Sequence, residues 1–136
     1  MKKWIASLCV AVVAMAGTGA AMANDFKDLR AKMTSARESL ITMTMDKTKR
    51  GADQQKLVKD TADAVSAAIS KLKAPAGKEA QFKEMVDTWN AFKKTRETEL
   101  VPLILAGKDD DALKIAGGIQ KQRFSQCLSL VGDLGG

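Results

Sequence analysis

The chain has 136 residues and a formal net charge of +6 at pH 7, and it contains no histidine and no tyrosine. The lack of histidine removes the usual zinc ligand, the usual axial ligand of haem b and the commonest general base. The sequence also has no recognisable catalytic triad, Cys-x-x-Cys-His motif, metal-ligand cluster or phosphate-binding loop. It therefore predicts a protein that is not an enzyme and needs no cofactor.

The first 23 residues have the pattern of a secretory signal peptide. A basic head, Lys2-Lys3, precedes an apolar run over residues 5–16 that is too short to span a bilayer comfortably. Ala21-Met22-Ala23 then has the small-x-small form of a cleavage site. We predict a signal peptide over 1–23 and a periplasmic, soluble mature chain over 24–136.

The mature chain has the size of one domain and a mild charge. Removing the two lysines of the basic head lowers the formal charge from +6 to +4. Acidic and basic residues are interleaved along the chain, which indicates a solvated helical surface rather than a nucleic-acid-binding patch. Because only 4% of the residues are aromatic, the core must be formed by Leu, Ile, Val, Met and Ala, a composition that suits helices.

Apolar periodicity predicts four helical segments separated by short turns, over residues 25–49, 53–73, 78–106 and 109–133. The first helix has a three-four spacing typical of a coiled-coil seam. Its members are Phe26, Leu29, Met33, Ala36, Leu40 and Met43.

The inward stripes of the second and fourth helices are less regular. In the second helix we expect Leu57, Thr61, Ala64 or Val65, Ala68 and Leu72, broadened by Val58 and Ile69. In the fourth we expect Leu113, Ala116, Gln120, Arg123 or Phe124, Cys127, Val131 and Leu134.

The third helix has a charged residue at a position where its apolar periodicity predicts an apolar one. The stripe of Phe82, Met85, Trp89 and Phe92 places Arg96 next in phase, and the apolar pattern resumes at Leu100. Pro102 lacks a backbone donor, so a kink is predicted near it. Arg96 could hold an anionic ligand through its fork of donors. Alternatively, it could pair with Glu97 or Glu99, or extend its charged end to solvent at an end of the bundle.

Four helices of similar length joined by short turns favour antiparallel neighbours. The predicted fold is therefore all-α, an antiparallel up-down-up-down four-helix bundle.

Residues 89–117 carry a resemblance to a known family. Trp89 and Phe92, then Arg96, an apolar run over 100–105, the turn Ala106-Gly107-Lys108-Asp109 and Ala112 resemble the periplasmic four-helix-bundle ligand-binding domain of methyl-accepting chemotaxis receptors. Members of that family carry a second transmembrane helix and a signalling region. Neither is recognisable here, so the resemblance implies a stand-alone sensor-like module that binds a ligand or partner without signalling across a membrane itself.

The resemblance also implies where a ligand would bind. In that family, small ligands bind between dimer partners, using basic and hydroxyl residues of first helices and polar residues of fourth helices. Residues of the right type here are Arg30, Thr34 and Arg37, which share one face of the first helix, with Gln120 and Arg123 on the fourth. The same residues could equally form a solvated face. A homodimer through the first and fourth helices is expected, with a small anionic ligand.

Sulfur-containing side chains suggest a second function. Thioethers are soft ligands suited to Cu(I), and Met33, Met43, Met45 and Met85 could supply them in a periplasmic carrier or buffer of copper or of an apolar cofactor. Met is also an ordinary core filler. Cys127, the one cysteine of the mature chain, could be buried, free or paired with another chain.

A third possibility is an accessory protein that docks on a membrane receptor or envelope complex. Of these functions the sequence favours the exported, non-catalytic, sensor-like bundle that binds a small ligand or a membrane or envelope partner.

Overall fold

The fold was analysed in a computed structural model that describes the backbone from Lys2 and the side chains from Asn24 to Gly136. The predicted signal peptide, residues 1–23, thus lies outside the residues whose side chains are described. The described backbone is all-α and contains no strand. Its α-helices are α1 (Lys2–Met45), α2 (Ala52–Lys71), α3 (Glu79–Thr95), α4 (Val101–Leu105), α5 (Asp109–Gly117) and α6 (Ile119–Asp133).

Short elements connect or interrupt these helices. A 3-10 turn, Lys47–Lys49, follows α1, and a π-helical segment, Arg96–Leu100, joins α3 to α4. Helix α1 packs mainly against α2, whereas α3 packs mainly against α6. Within the described part of the chain, no helix combines the length and the apolar character needed to cross a membrane.

The predicted seam of the first helix is confirmed. All six of its residues are buried, five of them completely. The regular three-four spacing keeps them on one side of α1, where they contact the other helices.

The stripe predicted for the second helix is confirmed in part: Val58, Val65 and Ile69 are buried, and Ala68 and Leu72 pack against the core. Its buried residues are Val58, Ala62, Val65 and Ile69, whereas Leu57 is 48% exposed. Apolar residues occur on two adjacent faces of α2, so its periodicity is ambiguous. Packing against α1 selected the face with four-three-four spacing.

The predicted kink near Pro102 takes the form of the π segment. Pro102 cannot donate to the Thr98 carbonyl, and its ring would crowd that group. Just before it the turn widens, and the Val101 amide donates to the Arg96 carbonyl five residues back. The extra residue rotates the helix so that Leu100 and Ile104 are buried and Glu99 is exposed. This shift explains the slip in the apolar pattern.

The predicted fourth helix is divided into α5 and α6 at Gly118. This residue has φ −101° and ψ −110°, outside the helical region. A Cβ added there would lie 2.8 Å from the Lys114 carbonyl oxygen, a distance that side-chain-bearing residues do not tolerate. Leu113, predicted to face inward, is 48% exposed on the α5 side of this break.

Buried apolar side chains form two clusters. The larger contains Trp89, Phe92 and Phe124 together with the first four residues of the α1 seam. The smaller contains Leu40, Met43, Val58, Leu100, Ile104 and Ala112. The π segment contributes to the second cluster and directs Arg96 to the boundary between the two.

Candidate functional site

Arg96 is fully buried and bridges three helical elements. One guanidinium nitrogen donates to the Ala36 carbonyl of α1 at 2.7 Å. The other donates to the Val58 carbonyl of α2 at 2.6 Å and approaches the Ser39 hydroxyl at 3.4 Å. Because the π segment aims this side chain between α1 and α2, its donors meet carbonyl oxygens rather than solvent.

Arg96 forms no ion pair with a carboxylate within residues 24–136, so the alternative of a pair with Glu97 or Glu99 was wrong. Glu97 pairs with Lys93 at 3.1 Å instead, and Glu99 is exposed. Burial lowers the pKa of Arg96 to about 10, against the opposing effect of the Glu97 charge. The guanidinium therefore remains charged at neutral pH, and its two short hydrogen bonds go to backbone carbonyls.

The neighbours of Arg96 extend its hydrogen bonds into a polar network, although the Arg96 Nε–H is buried without a partner in the described residues. The Ser39 hydroxyl donates to the Ala36 carbonyl at 2.8 Å and lies 3.0 Å from the Thr61 hydroxyl. The Gln54 amide donates to the Ser39 carbonyl at 2.7 Å. The network fixes α1, α2 and the π segment relative to one another, and Arg96 has no exposed surface with which to meet a ligand.

Gln120 and Arg123 link α6 to α3. The buried Gln120 amide donates to the Phe92 carbonyl at 2.9 Å, and its oxygen accepts from Arg123 at 3.1 Å. Arg123 also donates to the Thr95 hydroxyl at 2.8 Å. Both side chains use their donors inside the protein.

Arg30 and Thr34 also make internal bonds. Arg30 donates to the Leu128 carbonyl of α6 at 2.8 Å, and the Thr34 hydroxyl donates to the carbonyl of Arg30 at 3.0 Å. Arg30 thus joins α1 to α6.

Arg37 differs from the other predicted site residues. Its side chain is exposed, and the guanidinium carbon lies 5.0 Å from the ring centroid of Phe124. Such a cation–π contact holds the guanidinium against the helix surface while leaving its donors accessible.

Arg37 lies on an apolar groove of about 120 Å³ between α1, the α3–α4 segment and the α5–α6 segment. Most of its lining side chains are apolar, and it contains no acidic residue. They are Arg37, Leu40, Ile41, Thr44, Met45, Phe92, Leu100, Leu113, Ala116, Gln120 and Lys121.

The groove brings together two of the six predicted site residues, Arg37 and Gln120. Sequence reasoning missed Lys121 and the apolar walls. A signal for the walls was present: Ile41, Met45 and Leu113 are apolar yet 40%, 71% and 48% exposed. Ile41 and Met45 lie outside the regular seam of α1.

The sulfur-containing side chains are mostly in the core. Met33 and Met85 belong to the larger cluster and Met43 to the smaller. Cys127 is fully buried, and burial raises the pKa of its thiol to about 12. The thiol is therefore protonated at neutral pH and shielded from a partner chain. In the part of the chain described, no group of three or more His, Cys, Asp or Glu side chains could hold a metal ion.

A second polar cluster lies where α1 ends and α5 begins. Arg50 donates to the Met43 and Thr44 carbonyls, both at 2.9 Å, and pairs with Asp109 at 3.0 Å. Partial burial opposes ionisation of Asp109, but the hydrogen bonds and charges of Arg50 and Lys47 lower its pKa. Because Arg50 satisfies terminal carbonyls of α1, this cluster stabilises the turn.

The chain matches no protein-family model, and neither the curated proteins nor the solved structures show significant similarity to it.

Proposed function

We propose that this protein is an exported, non-catalytic, sensor-like module that binds a small anionic ligand in the periplasm. Its residues 24–136 would form an antiparallel up-down-up-down four-helix bundle of the kind found in chemotaxis receptors. The four members are α1, α2, the α3–α4 segment and the α5–α6 segment. The turns between them are short, and short turns favour antiparallel neighbours.

One observation carries the ligand-binding proposal. Arg37 of the first helix and Gln120 of the fourth, selected from the sequence for their chemical type, line the same apolar groove. Arg37 keeps accessible donors there, while a cation–π contact restricts its position. A charged group presented at the edge of a concave apolar surface is a common arrangement in small-molecule sites.

The other predicted site residues have supporting roles in this proposal. Arg123 orients Gln120 beneath the groove, and Arg30, with Thr34 one turn away, holds α1 against α6. Arg96 fixes the π segment, whose Leu100 forms part of the groove wall. Ligand binding would then bias the packing of α1 against the α5–α6 segment.

We further propose that the module forms a homodimer or docks on an envelope partner through its first and fourth helices. Exposed apolar residues on these helices, Ile41, Leu113 and Ile119, supply contact surface for such a partner.

A thermal-shift screen with small organic anions tests the ligand proposal. A ligand at ten times its Kd should stabilise the protein by about 1.4 kcal/mol, a shift of several degrees in Tm. Arg37→Ala should abolish the shift. Lys94→Ala removes an equal charge from an exposed position outside the groove and should preserve it. The absence of a shift across the whole panel would refute the proposal.

Mass spectrometry tests export and assembly. Protein purified from its host should begin at Asn24 and be recovered from the periplasmic fraction. Native spectra of the same sample should show a dimer or a partner complex. A chain retaining residues 1–23 in the cytoplasm would contradict the proposed localisation.

A further inference from the structure

We infer that the groove binds a compact monocarboxylate whose apolar body is about the size of a six-carbon ring or branched chain. This inference rests on the proposed function and specifies its ligand. Three features of the groove carry it: the available donors, the apolar walls and the volume.

The donors available to a ligand are few. The Thr44 hydroxyl donates to the Leu40 carbonyl at 2.8 Å, and the Gln120 amide donates to the Phe92 carbonyl. The Gln120 oxygen accepts from Arg123. Among the lining side chains, Gln120 is only 3% exposed, whereas the cations Arg37 and Lys121 are exposed and can bind a ligand.

Neither cation has an ion-pair partner among the described side chains. The ion pairs found within residues 24–136 include neither Arg37 nor Lys121, and no acidic side chain lines the groove. The fork of a guanidinium matches the two oxygens of one carboxylate, and Lys121 adds a second positive charge on the same groove. A phosphate dianion carries more charge than a carboxylate and would lose more hydration against the apolar walls.

The walls determine the rest of the ligand. Ile41, Met45 and Leu113 expose apolar surface that a purely polar dicarboxylate would leave in contact with water. An apolar body that covers this surface gains the free energy of its removal from water. The groove thus favours an amphiphilic anion over a fully polar one.

The volume limits the size of that body. An apolar cavity of about 150 Å³ accommodates benzene. At about 120 Å³, with Met45 exposed at its edge, the groove accommodates a similar body and leaves the carboxylate at the mouth. A long acyl chain would extend beyond the walls into solvent.

Isothermal titration calorimetry with four probes tests this inference. Sodium benzoate and 4-methylpentanoate should bind. Succinate, which has charge without an apolar body, and benzyl alcohol, which has the body without charge, should each bind at least tenfold more weakly than benzoate.

Variants locate the binding in the groove. Arg37→Gln should weaken the binding of benzoate about tenfold, equivalent to about 1.4 kcal/mol, without changing the affinity for benzyl alcohol. Lys94→Gln should leave both unchanged. Ala116→Leu fills the groove and should abolish binding. If that variant does not fold, Leu113→Ser is used instead and should weaken the binding of benzoate severalfold. Leu57→Ser is its control, because Leu57 is equally exposed but lies outside the groove.

Each contrary outcome has a distinct meaning. If succinate binds through Arg37 and benzoate does not, the ligand class is wrong but the proposed binding function stands. If none of the four probes binds but another anion in the thermal-shift panel does, the ligand class is again refuted alone. If no anion binds and Leu113→Ser abolishes dimerisation in analytical ultracentrifugation, the groove is covered by a second copy. The ligand class and the ligand-binding function then both fail, and only the proposed homodimer stands.

Discussion

Arg96 offers a sharp test of how this fold tolerates a buried charge. Lowering its pKa from 12.5 to about 10 corresponds to a penalty of about 3 kcal/mol for keeping the guanidinium charged. Its two short hydrogen bonds to the Ala36 and Val58 carbonyls offset this, since a bond from a charged group contributes about 1.5–3 kcal/mol. Removing the charge together with these hydrogen bonds should therefore change the stability little.

Substitutions separate charge from volume. Arg96→Met retains much of the volume and removes the charge, and helical carbonyls keep their intrahelical donors, so stability should change by less than about 2 kcal/mol. Arg96→Ala leaves a cavity beside Leu100 and should cost about 3 kcal/mol. Urea denaturation at pH 7 measures both. If Arg96→Met costs as much as Arg96→Ala, the hydrogen bonds dominate and the reasoning is wrong.

The pH dependence of stability, compared between the wild type and Arg96→Met, is an independent check. Because the folded pKa lies below the unfolded value, the unfolded chain binds more protons between pH 10 and 12.5. Wild-type stability should thus rise relative to Arg96→Met across this range, by about 1 kcal/mol at pH 11. Lysine titrations are common to both proteins and cancel in the difference. A constant difference from pH 7 to 11 would show that Arg96 is not a penalised charge.

Three further predictions concern the packing. Gly118→Ala should destabilise the protein by about 1–3 kcal/mol because its Cβ meets a carbonyl oxygen. Gly117→Ala, whose Cβ meets open space, should be neutral or stabilise the protein by about 0.5 kcal/mol. Equal effects of the two substitutions in thermal melts would contradict a break at Gly118. Val58→Ala should lower the free energy of unfolding by about 2 kcal/mol, and Leu57→Ala should lower it by less than about 0.5 kcal/mol. The reverse order would show that Leu57, not Val58, faces the core. Cys127 should resist iodoacetamide at pH 8 until urea unfolds the protein, and fast labelling of folded protein would show that the thiol is accessible.

If the groove binds a ligand as we propose, its position would couple binding to conformation. Its walls come from α1, from the π segment and from both sides of the break at Gly118. The π turn and the glycine break are the two places where the third and fourth helical segments depart from regular geometry. A ligand that contacts both sides would favour one arrangement of these irregular points over others, which is a requirement for a population shift.

The sequence by itself determined the fold class and much of the core. Regular periodicity located the α1 seam, and the slip after Arg96 together with Pro102 marked where the third helix would deviate. The type of deviation could not be predicted from the sequence, because a kink and a π turn are two different ways to accommodate the backbone donor that Pro102 lacks.

Only the tertiary structure decided how the polar residues are used. Arg30, Arg37, Arg96 and Arg123 are chemically alike in the sequence, yet three of them donate to groups inside the protein and Arg37 alone has accessible donors on the groove. Helical periodicity gives the face on which a residue lies, but a hydrogen-bond partner depends on which distant backbone carbonyl or hydroxyl packing brings within 3 Å.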